Sequence, residues 1–207
     1  MPLITQADLE KYLQIDVTNE PDDVVTQYIA QAQATADNYC HQPLEYSSVT
    51  EIFESDQPSA WRVLERFPIS AVASVTEDGI LLTSDDYLWY ADGRVRRVTG
   101  SGVGRFDRTW SMYPNAVTVV YGAGYGAGAT APYDVTPDDL ILGIVTICGD
   151  LWRYGAQYAA QGSVPIKSVT LSGSDTITYA VGMDQRQPGE LSQAVKMLLA
   201  PYVRRRM

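Results

Sequence analysis

The spacing of apolar residues changes twice along the chain, and this change restricts the fold more than any other feature. Before about residue 42, apolar side chains recur every three or four positions, as on one face of an amphipathic helix. Residues 43–131 instead carry short apolar runs separated by turn residues, which is typical of β-strands. After residue 132 the helical spacing returns. We therefore predict an α+β fold. Residues 1–42 and 132–207 should form a small helical bundle, and residues 43–131 should form a β-rich region inserted between these two parts of the sequence.

Two amphipathic helices are predicted before the β-rich region. Thr5 and Asp8 have the spacing of a capping box, so a short helix should start at residue 5 or 6. Pro21, followed by two aspartates, should open a second helix that runs to about Cys40. Small side chains on its apolar face would let another helix approach closely, in this chain or in a neighbouring subunit. The candidate residues for a subunit interface are Tyr28, Ala32 and Ala36.

Two further helices and a hairpin are predicted after the β-rich region. Pro137, followed by two aspartates, opens the most apolar stretch of the chain, so a core helix should lie near 137–154. A last helix is predicted over 191–199. Between these two helices, β-prone runs on either side of a Ser-Gly-Ser-Asp sequence predict a hairpin near 166–180.

The β-rich region should form a meander of short strands. The turn pairs Asp78-Gly79 and Asp92-Gly93 favour tight hairpins, because glycine accepts a positive φ, and the second pair is the clearest hairpin signal in the chain. Three glycines between residues 100 and 108 predict a mobile loop. The predicted strands are 48–53, 62–64, 72–76, 87–90, 94–98 and 116–121.

The negative charge of the chain is concentrated in one part of it. Residues 1–60 contain eleven Asp and Glu residues and one lysine, which accounts for the whole formal net charge of -10. Binding to duplex DNA needs clustered Lys and Arg, and the three arginines at 204–206 are the one tight cluster, so the charge distribution argues against a duplex-binding protein. Two interpretations of the acidic part stay open: a solvated face that keeps the protein soluble, or an acidic wall beside passing DNA.

Few residues in the chain could carry catalytic chemistry. His41 is the one histidine, and Cys40 and Cys148 lack the spacing of a metal site or a disulfide framework. The glycine-rich run at 124–129 matches a dinucleotide-binding pattern, but no predicted helix follows it directly. Paired aspartates at 85–86 leave a two-carboxylate hydrolase or a calcium site open as an alternative. We predict no catalytic, cofactor-binding or metal-binding residues, and therefore no enzyme.

The hydropathy of the chain indicates where the protein is located, and its aromatic residues indicate what it could bind. The longest uncharged apolar run, residues 140–149, is about half a membrane span, so we expect no membrane segment. We also expect no export signal at the start of the sequence, and unpaired cysteines suit a reducing cytosol. The aromatic residues of the β-rich region could form a sugar-binding or protein-binding surface, or could be half-buried strand residues. They include Trp61, Tyr87, Trp89, Tyr90, Trp110 and Tyr113.

Four passages, taken in their order, resemble the head-tail connector proteins of tailed bacteriophages, also called adaptors or head completion proteins. The first two are the opening helix at 3–16 and the second helix, from its start at 22–32 to its end at 39–42. The third is a Pro-hydrophobic-x-x-Val strand at 67–75 followed by Asp-Asp-Tyr at 85–87, and the fourth joins 117–125 to the helix start at 137–140. The resemblance covers residues 3–154. The β-rich region is longer than in the compact members of that family, and the hairpin near 166–180 lies within what is often a shorter tail.

This resemblance implies a structural virion protein of the neck, at the head-tail interface, made in the cytoplasm of the bacterial host. It implies a homo-oligomeric ring, commonly of twelve copies, between the portal protein and a tail-side neck or stopper protein, with genomic DNA passing through the lumen and no cofactor. It also implies that the C-terminus docks on the portal, and that deleting residues 202–207 abolishes portal binding without unfolding the chain. The candidate portal-binding residues are Tyr202, Val203, Arg204, Arg205 and Arg206.

Two alternatives remain open at the level of sequence. A tail or baseplate component would also be rich in β-structure and aromatic residues, although the order of the helices argues against it. A β-rich carbohydrate-binding module would use the aromatic residues of the meander and would need no ring.

Overall fold

The computed structural model describes residues 2–13, 22–53, 58–100, 104–161, 169–170, 176–177 and 191–204. Within these residues, four helices enclose one hydrophobic core, and antiparallel strands enclose a second. The predicted α+β class is therefore confirmed. No helix within the described residues is both long and apolar enough to cross a bilayer.

The helices begin and end close to the predicted positions. They are α1 Gln6–Leu13, α2 Asp22–Cys40, α3 Asp138–Gln161 and α4 Gln193–Leu199. The capping box at the start of α1 is present, since the Thr5 N–H donates to Asp8 Oδ2 at 2.7 Å. The residues that signal the start of α2, at 19–21, lie outside the described residues. Helix α3 continues seven residues beyond its predicted end at 154, because Gly155 does not end it and the alanines and glutamines that follow favour a helix.

Helix α3 lies at the centre of the helical core and contacts the other three helices. Two of its glycines permit these contacts at short range. A Cβ atom added to Gly149 would lie 3.0 Å from Leu13 of α1, and one added to Gly143 would lie 3.1 Å from Leu199 of α4. The core helix predicted from sequence therefore has that role in the fold, and its small residues set how closely α1 and α4 approach it.

The strands of the β-rich region form two four-stranded arrangements. The first sheet has the order β1-β8-β3-β4, and in the second β6 lies between β2 and β5 and also pairs with β7. The order of the first sheet departs from a simple meander, because β8 lies between β1 and β3. Its sequence, Val-Thr-Val-Val-Tyr-Gly-Ala, is apolar enough for a central position. The strands are β1 Ser47–Phe53, β2 Trp61–Val63, β3 Ile69–Glu77, β4 Ile80–Leu81, β5 Tyr87–Trp89, β6 Arg94–Thr99, β7 Phe106–Asp107 and β8 Val117–Ala123.

Both predicted Asp-Gly hairpins are present, with different loops. Asp78 (φ 51°) and Gly79 (φ 78°) form a two-residue turn between β3 and β4. The β5–β6 hairpin instead has a three-residue loop that ends in Gly93 (φ 92°), because the Tyr90 N–H donates to the Arg94 carbonyl at 2.8 Å.

Residues 100–108 differ from the mobile loop predicted for them. Phe106 and Asp107 form strand β7, which pairs with Thr99 and Val98 of β6. Residues 101–103 of the predicted loop lie outside the described residues. The sequence pattern did not predict this short strand, because the three glycines of the segment favour a loop.

The later hairpin is present in its two paired strands, β9 Val169–Thr170 and β10 Thr176–Ile177, which run antiparallel. The rest of the hairpin predicted near 166–180 lies outside the described residues.

The glycine run after β8 is an ordered connection. Gly124 has φ +105°, and its N–H donates to the Pro68 carbonyl at 3.0 Å. A Cβ atom at this position would lie 2.6 Å from the carbonyl oxygen of Glu45. The glycines therefore permit close approach of two backbone segments.

Replacing Gly124 with alanine should lower the free energy of unfolding by about 3 kcal/mol, because the new Cβ adds a backbone clash to an unfavourable φ. The matched control is Gly79→Ala, which has a positive φ but no atom within 4 Å of the new Cβ. It should cost about 1–2 kcal/mol. Urea unfolding followed by circular dichroism measures both variants, and equal costs would contradict the close approach.

Candidate interaction surfaces

The C-terminal segment is packed into the helical core. Tyr202 is buried, and its hydroxyl donates to Asp139 Oδ1 at the start of α3. Its ring lies edge-on to that of Tyr125, with 5.6 Å between centroids. The Gln42 side-chain amide donates to the Tyr202 carbonyl at 3.0 Å. Tyr202 is therefore a structural residue of this fold, and we remove it from the candidate portal-binding residues.

The two described residues after Tyr202 are half-buried. Val203 packs partly against the helical core, and the Arg204 N–H donates to the Cys40 carbonyl at 2.9 Å while its side chain is half-buried. Arg205 and Arg206 lie outside the described residues. A deletion of residues 202–207 would remove a buried side chain of the helical core, so we now expect it to destabilise the fold.

The residues of α2 that were candidates for a subunit interface pack within their own chain. Ala32 and Ala36 have no exposed surface and lie in the helical core of their own chain. Tyr28 is half-buried, with its ring 5.2 Å from that of Trp152 on α3. The close helix approach that small side chains permit is therefore with α3 of the same chain. This placement removes Ala32 and Ala36 from the candidate subunit interface.

A polar junction joins the helical core to the first sheet. The Arg66 guanidinium donates to the carbonyl oxygens of Pro43 at 3.0 Å and Glu45 at 2.7 Å. The Gln42 Oε1 atom accepts a hydrogen bond from the Phe67 N–H at 3.0 Å. These bonds satisfy backbone groups between α2 and β1, so the helices and the sheet are held in one orientation.

Glu51 and Tyr121 form a buried pair beside this junction. The Tyr121 hydroxyl donates to Glu51 Oε1, which also accepts from the Glu65 N–H at 2.7 Å. Burial raises the pKa of both Glu51 and Tyr121 above their ordinary values. Perturbed acids are often catalytic, but here desolvation between β1 and β8 accounts for the raised pKa of Glu51, which its hydrogen bonds from Tyr121 and Glu65 oppose.

A buried ion pair joins the two sheets. Arg97 of β6 donates through Nε to Glu77 Oε2 of β3 at 2.9 Å, and both side chains are buried. Glu77 Oε1 also accepts from the Ser111 N–H at 2.8 Å. The guanidinium lies over the ring of the buried Trp110, 5.8 Å from its centroid. The network fixes the second sheet against the end of the first.

The paired aspartates at 85–86 have separate structural partners. Asp86 accepts from the backbone and side chain of Thr83, and these bonds, followed by Arg97, lower the pKa of its carboxyl group. Asp85 forms an ion pair with Arg105 at 2.8 Å. Capping and ion pairing explain the pair without a hydrolytic or calcium site. Among the residues that the structure describes, no three His, Cys, Asp or Glu residues are grouped so that they could hold a metal ion.

The two cysteines act as small core residues. Both are free and buried, and desolvation raises the pKa of Cys40 to about 12 and that of Cys148 to about 11. Their thiols stay protonated at neutral pH, which makes them poor nucleophiles and poor metal ligands.

The aromatic residues of the β-rich region divide between core and surface. Trp110 is buried, whereas Trp61 is 36% exposed and Trp89 is 40% exposed. On β6, the side chains of Val95 and Arg97 face the core, so the alternating Arg94 and Arg96 face outward. The aromatic residues were identified from sequence. Their position beside the arginines was not, because it depends on the pairing of β2 with β6, which places Trp61 opposite Arg96 and which no local pattern predicts.

An arginine–tryptophan surface covers the outer face of the second sheet. Both guanidinium groups lie over the Trp61 ring, 5.5 Å from its centroid for Arg94 and 5.2 Å for Arg96. The ring of Tyr90 lies 5.7 Å from that of Trp61 and also contacts Arg94. Cation–π contacts of this kind hold long side chains in place at an exposed site. We define the arginine–tryptophan surface as Trp61, Val63, Tyr90, Arg94 and Arg96.

The fold is similar to that of chains in three solved structures. One is the neck of an empty GTA particle computed with C6 symmetry, with a TM-score of 0.58, 14% identity, and coverage of 100% of this chain and 91% of that one. A second is the neck of a native GTA particle computed with C12 symmetry, with a TM-score of 0.53, 13% identity, and coverage of 99% and 94%. A third is the virion of a native gene transfer agent (GTA) particle, with a TM-score of 0.54, 14% identity, and coverage of 100% and 91%. No family model and no curated protein matches the sequence. At this identity the likeness establishes a shared fold.

Proposed function

We propose that the chain is a structural, non-catalytic subunit of a virion neck, the head-tail connector or adaptor ring of a phage-like particle. The observation that carries this proposal is the likeness over the whole chain to chains of GTA necks, which have C6 and C12 symmetry. Partial matches often reflect a common supersecondary unit, whereas coverage of 100% includes the helical core, both sheets and the C-terminus. The order of sequence passages at 3–154 supports the same assignment independently.

In the proposed assembly, twelve copies form a closed ring between the portal protein and a tail-side stopper protein. Such a ring repeats one heterologous contact around its axis. Genomic DNA passes through the lumen, and the acidic residues 1–60 line the passage. An acidic wall repels phosphate groups and therefore lets DNA slide, whereas lysine and arginine would bind it. The ring is located in the virion neck after synthesis in the bacterial cytoplasm.

The proposed portal contact is the basic end of the chain after Tyr202. Arg204, Arg205 and Arg206 supply three guanidinium groups, which pair well with carboxylates of a partner protein. The packing of Tyr202 supports this role indirectly, because it anchors the segment from which the arginines extend.

Electron microscopy of the full chain mixed with its candidate portal protein tests the proposal. We expect a ring of twelve copies seated on the portal, and we expect a chain that lacks residues 205–207 to fold but to bind the portal at least about tenfold more weakly. The intact chain serves as the control, and circular dichroism checks folding. A chain that stays monomeric with the portal and binds an oligosaccharide would instead support a carbohydrate-binding module. A ring found on the tail or baseplate would contradict the connector position.

A further inference from the structure

The first sheet ends on one side at a long edge strand. Strand β1 has seven residues and pairs with β8, and with no other strand in the part of the chain that the structure describes. The other edge strands there, β2, β4, β5 and β7, have two or three residues each. Unpaired N–H and C=O groups of an edge strand can bind another strand, and proteins usually keep such edges short. Strand β1 therefore has the largest open edge of this fold.

The hydrogen bonds of the neighbouring strands show which backbone groups of β1 point outward. The Asp78 N–H donates to the Ala116 carbonyl at 2.8 Å, so the backbone groups of Ala116 point toward β3. Successive residues of a strand direct these groups to opposite sides, so those of Val117 point toward β1. Val117 lies opposite Phe53, and the register continues along β1 without a shift. The residues of β1 whose backbone groups face away from β8 are therefore Ser48, Thr50 and Ile52.

These outward-facing groups are unpaired and lie at an uncharged edge. Among the described residues, no hydrogen bond uses them. The side chains of the same three residues are exposed, and Ile52 is 58% exposed. Strand β1 contains no proline, lysine or bulge, which are common protections of an edge. Its one charged residue, Glu51, is buried and accepts hydrogen bonds from Tyr121 and from the Glu65 N–H. Neither charge nor backbone shape therefore keeps a second strand away.

We propose that two copies of the free chain bind each other through their β1 edges, in antiparallel register about Thr50. A second copy of the same strand matches this edge, because a two-fold axis at Thr50 places Ser48 opposite Ile52 of the other copy. Each facing pair exchanges two hydrogen bonds, so the contact contains about six. The two four-stranded sheets then form one continuous sheet, and each copy covers the open edge of the other.

The size of the contact predicts a reversible dimer. Two seven-residue edges, each about 24 Å long, bury less than the roughly 1,200–2,000 Å² of a stable complex. The contact is isologous, so it stops at two copies, whereas a ring repeats a heterologous contact. The inference therefore concerns the chain before assembly and does not rest on the proposed ring.

Cysteine cross-linking tests whether the two edges meet. Thr50→Cys places one thiol of each copy beside the two-fold axis, with Cα atoms about 5.5 Å apart, which a disulfide can span. We expect mild oxidation of the full chain to give a covalent dimer. The native cysteines are buried and should not contribute. Thr109→Cys is the matched control, an exposed threonine outside β1, and should give at least about tenfold less dimer.

Two further cysteine variants test the register. Ser48→Cys alone and Ile52→Cys alone each place the two thiols of a dimer about 14 Å apart, too far for a disulfide. A mixture of the two variants should form a disulfide between them, because position 48 faces position 52 of the other copy. Efficient dimers from either variant alone, with none from the mixture, would contradict this register and overturn the inference.

A proline substitution tests the backbone hydrogen bonds. Thr50→Pro removes an outward N–H that the pairing with β8 does not use. It should weaken the dimer at least about tenfold, as measured by sedimentation equilibrium. Thr50→Ala keeps this N–H and should change the dimer constant less than about twofold. Circular dichroism checks folding, and the cysteine variants decide the question if Thr50→Pro does not fold.

The outcomes separate this inference from the proposed function. A chain that is monomeric at every concentration and forms no Thr50→Cys dimer would overturn the inference, whatever the portal experiment shows. Species larger than a dimer would mean that β1 binds a different strand, which also overturns it. If the free chain is monomeric and Thr50→Pro abolishes portal binding, the edge binds the portal instead. A dimer without a ring would support the inference and contradict the proposed function.

Discussion

Replacing Tyr202 with alanine should lower the free energy of unfolding by about 3–5 kcal/mol, which is the cost of removing a large buried aromatic side chain. The variant leaves a cavity between α3 and the Tyr125 ring, and it leaves Asp139 without the hydroxyl that it accepts from. Tyr202→Phe is the matched control, since it keeps the ring and should cost about 1 kcal/mol. Urea unfolding of both variants measures the difference.

Tyr202→Ala also separates two explanations for a loss of portal binding. If portal binding is lost together with stability, the defect lies in the fold of the C-terminal segment. If Tyr202→Ala unfolds as the wild type does, Tyr202 is not the anchor that the structure indicates. A chain that ends at Arg204 retains the anchor, so it is the truncation that tests docking alone.

Replacing Arg97 with methionine should lower the free energy of unfolding by about 3–5 kcal/mol, because it leaves the buried Glu77 carboxylate without its counter-charge. Glu77 accepts from the Ser111 N–H as well, but a single neutral donor does not compensate a buried charge. The free energy of unfolding at neutral pH measures this loss. Amide hydrogen exchange should show that β6 and its neighbours lose protection first.

The double variant Arg97→Met with Glu77→Leu supplies the control for this effect. Because it removes both charges and keeps most of the apolar volume, it should unfold at a free energy closer to that of the wild type than the single variant does. A double variant as unstable as the sum of two single variants would show that the charges contribute independently, and would contradict the paired network.

Local signals predicted the helices well, because capping and periodicity act within a few residues. Thr5 and Asp8 fixed the start of α1, and the proline followed by two aspartates fixed that of α3. The placement of β8 between β1 and β3 was not predicted. Pairing between strands that are distant in sequence depends on packing in the folded chain, and no local pattern encodes it.

For the candidate interaction residues, too, local patterns were predicted correctly and contacts between distant parts of the chain were not. The apolar face of α2 was identified correctly, but sequence does not say whether α3 or a neighbouring subunit covers Ala32 and Ala36. The arginine–tryptophan surface was missed as a unit, because Trp61 and Arg94 come together through pairing of β2 with β6.

One amide side chain links the end of the chain to the first sheet. Gln42 donates to the Tyr202 carbonyl and accepts from the Phe67 N–H, so the same group touches the C-terminal segment and the start of the sheet. A force applied at the C-terminus would therefore be transmitted to β3 through Gln42, over two hydrogen bonds and one short side chain. In mechanical terms the buried amide couples the two segments, so a displacement of the C-terminal segment would pull on the residues that lead into β3.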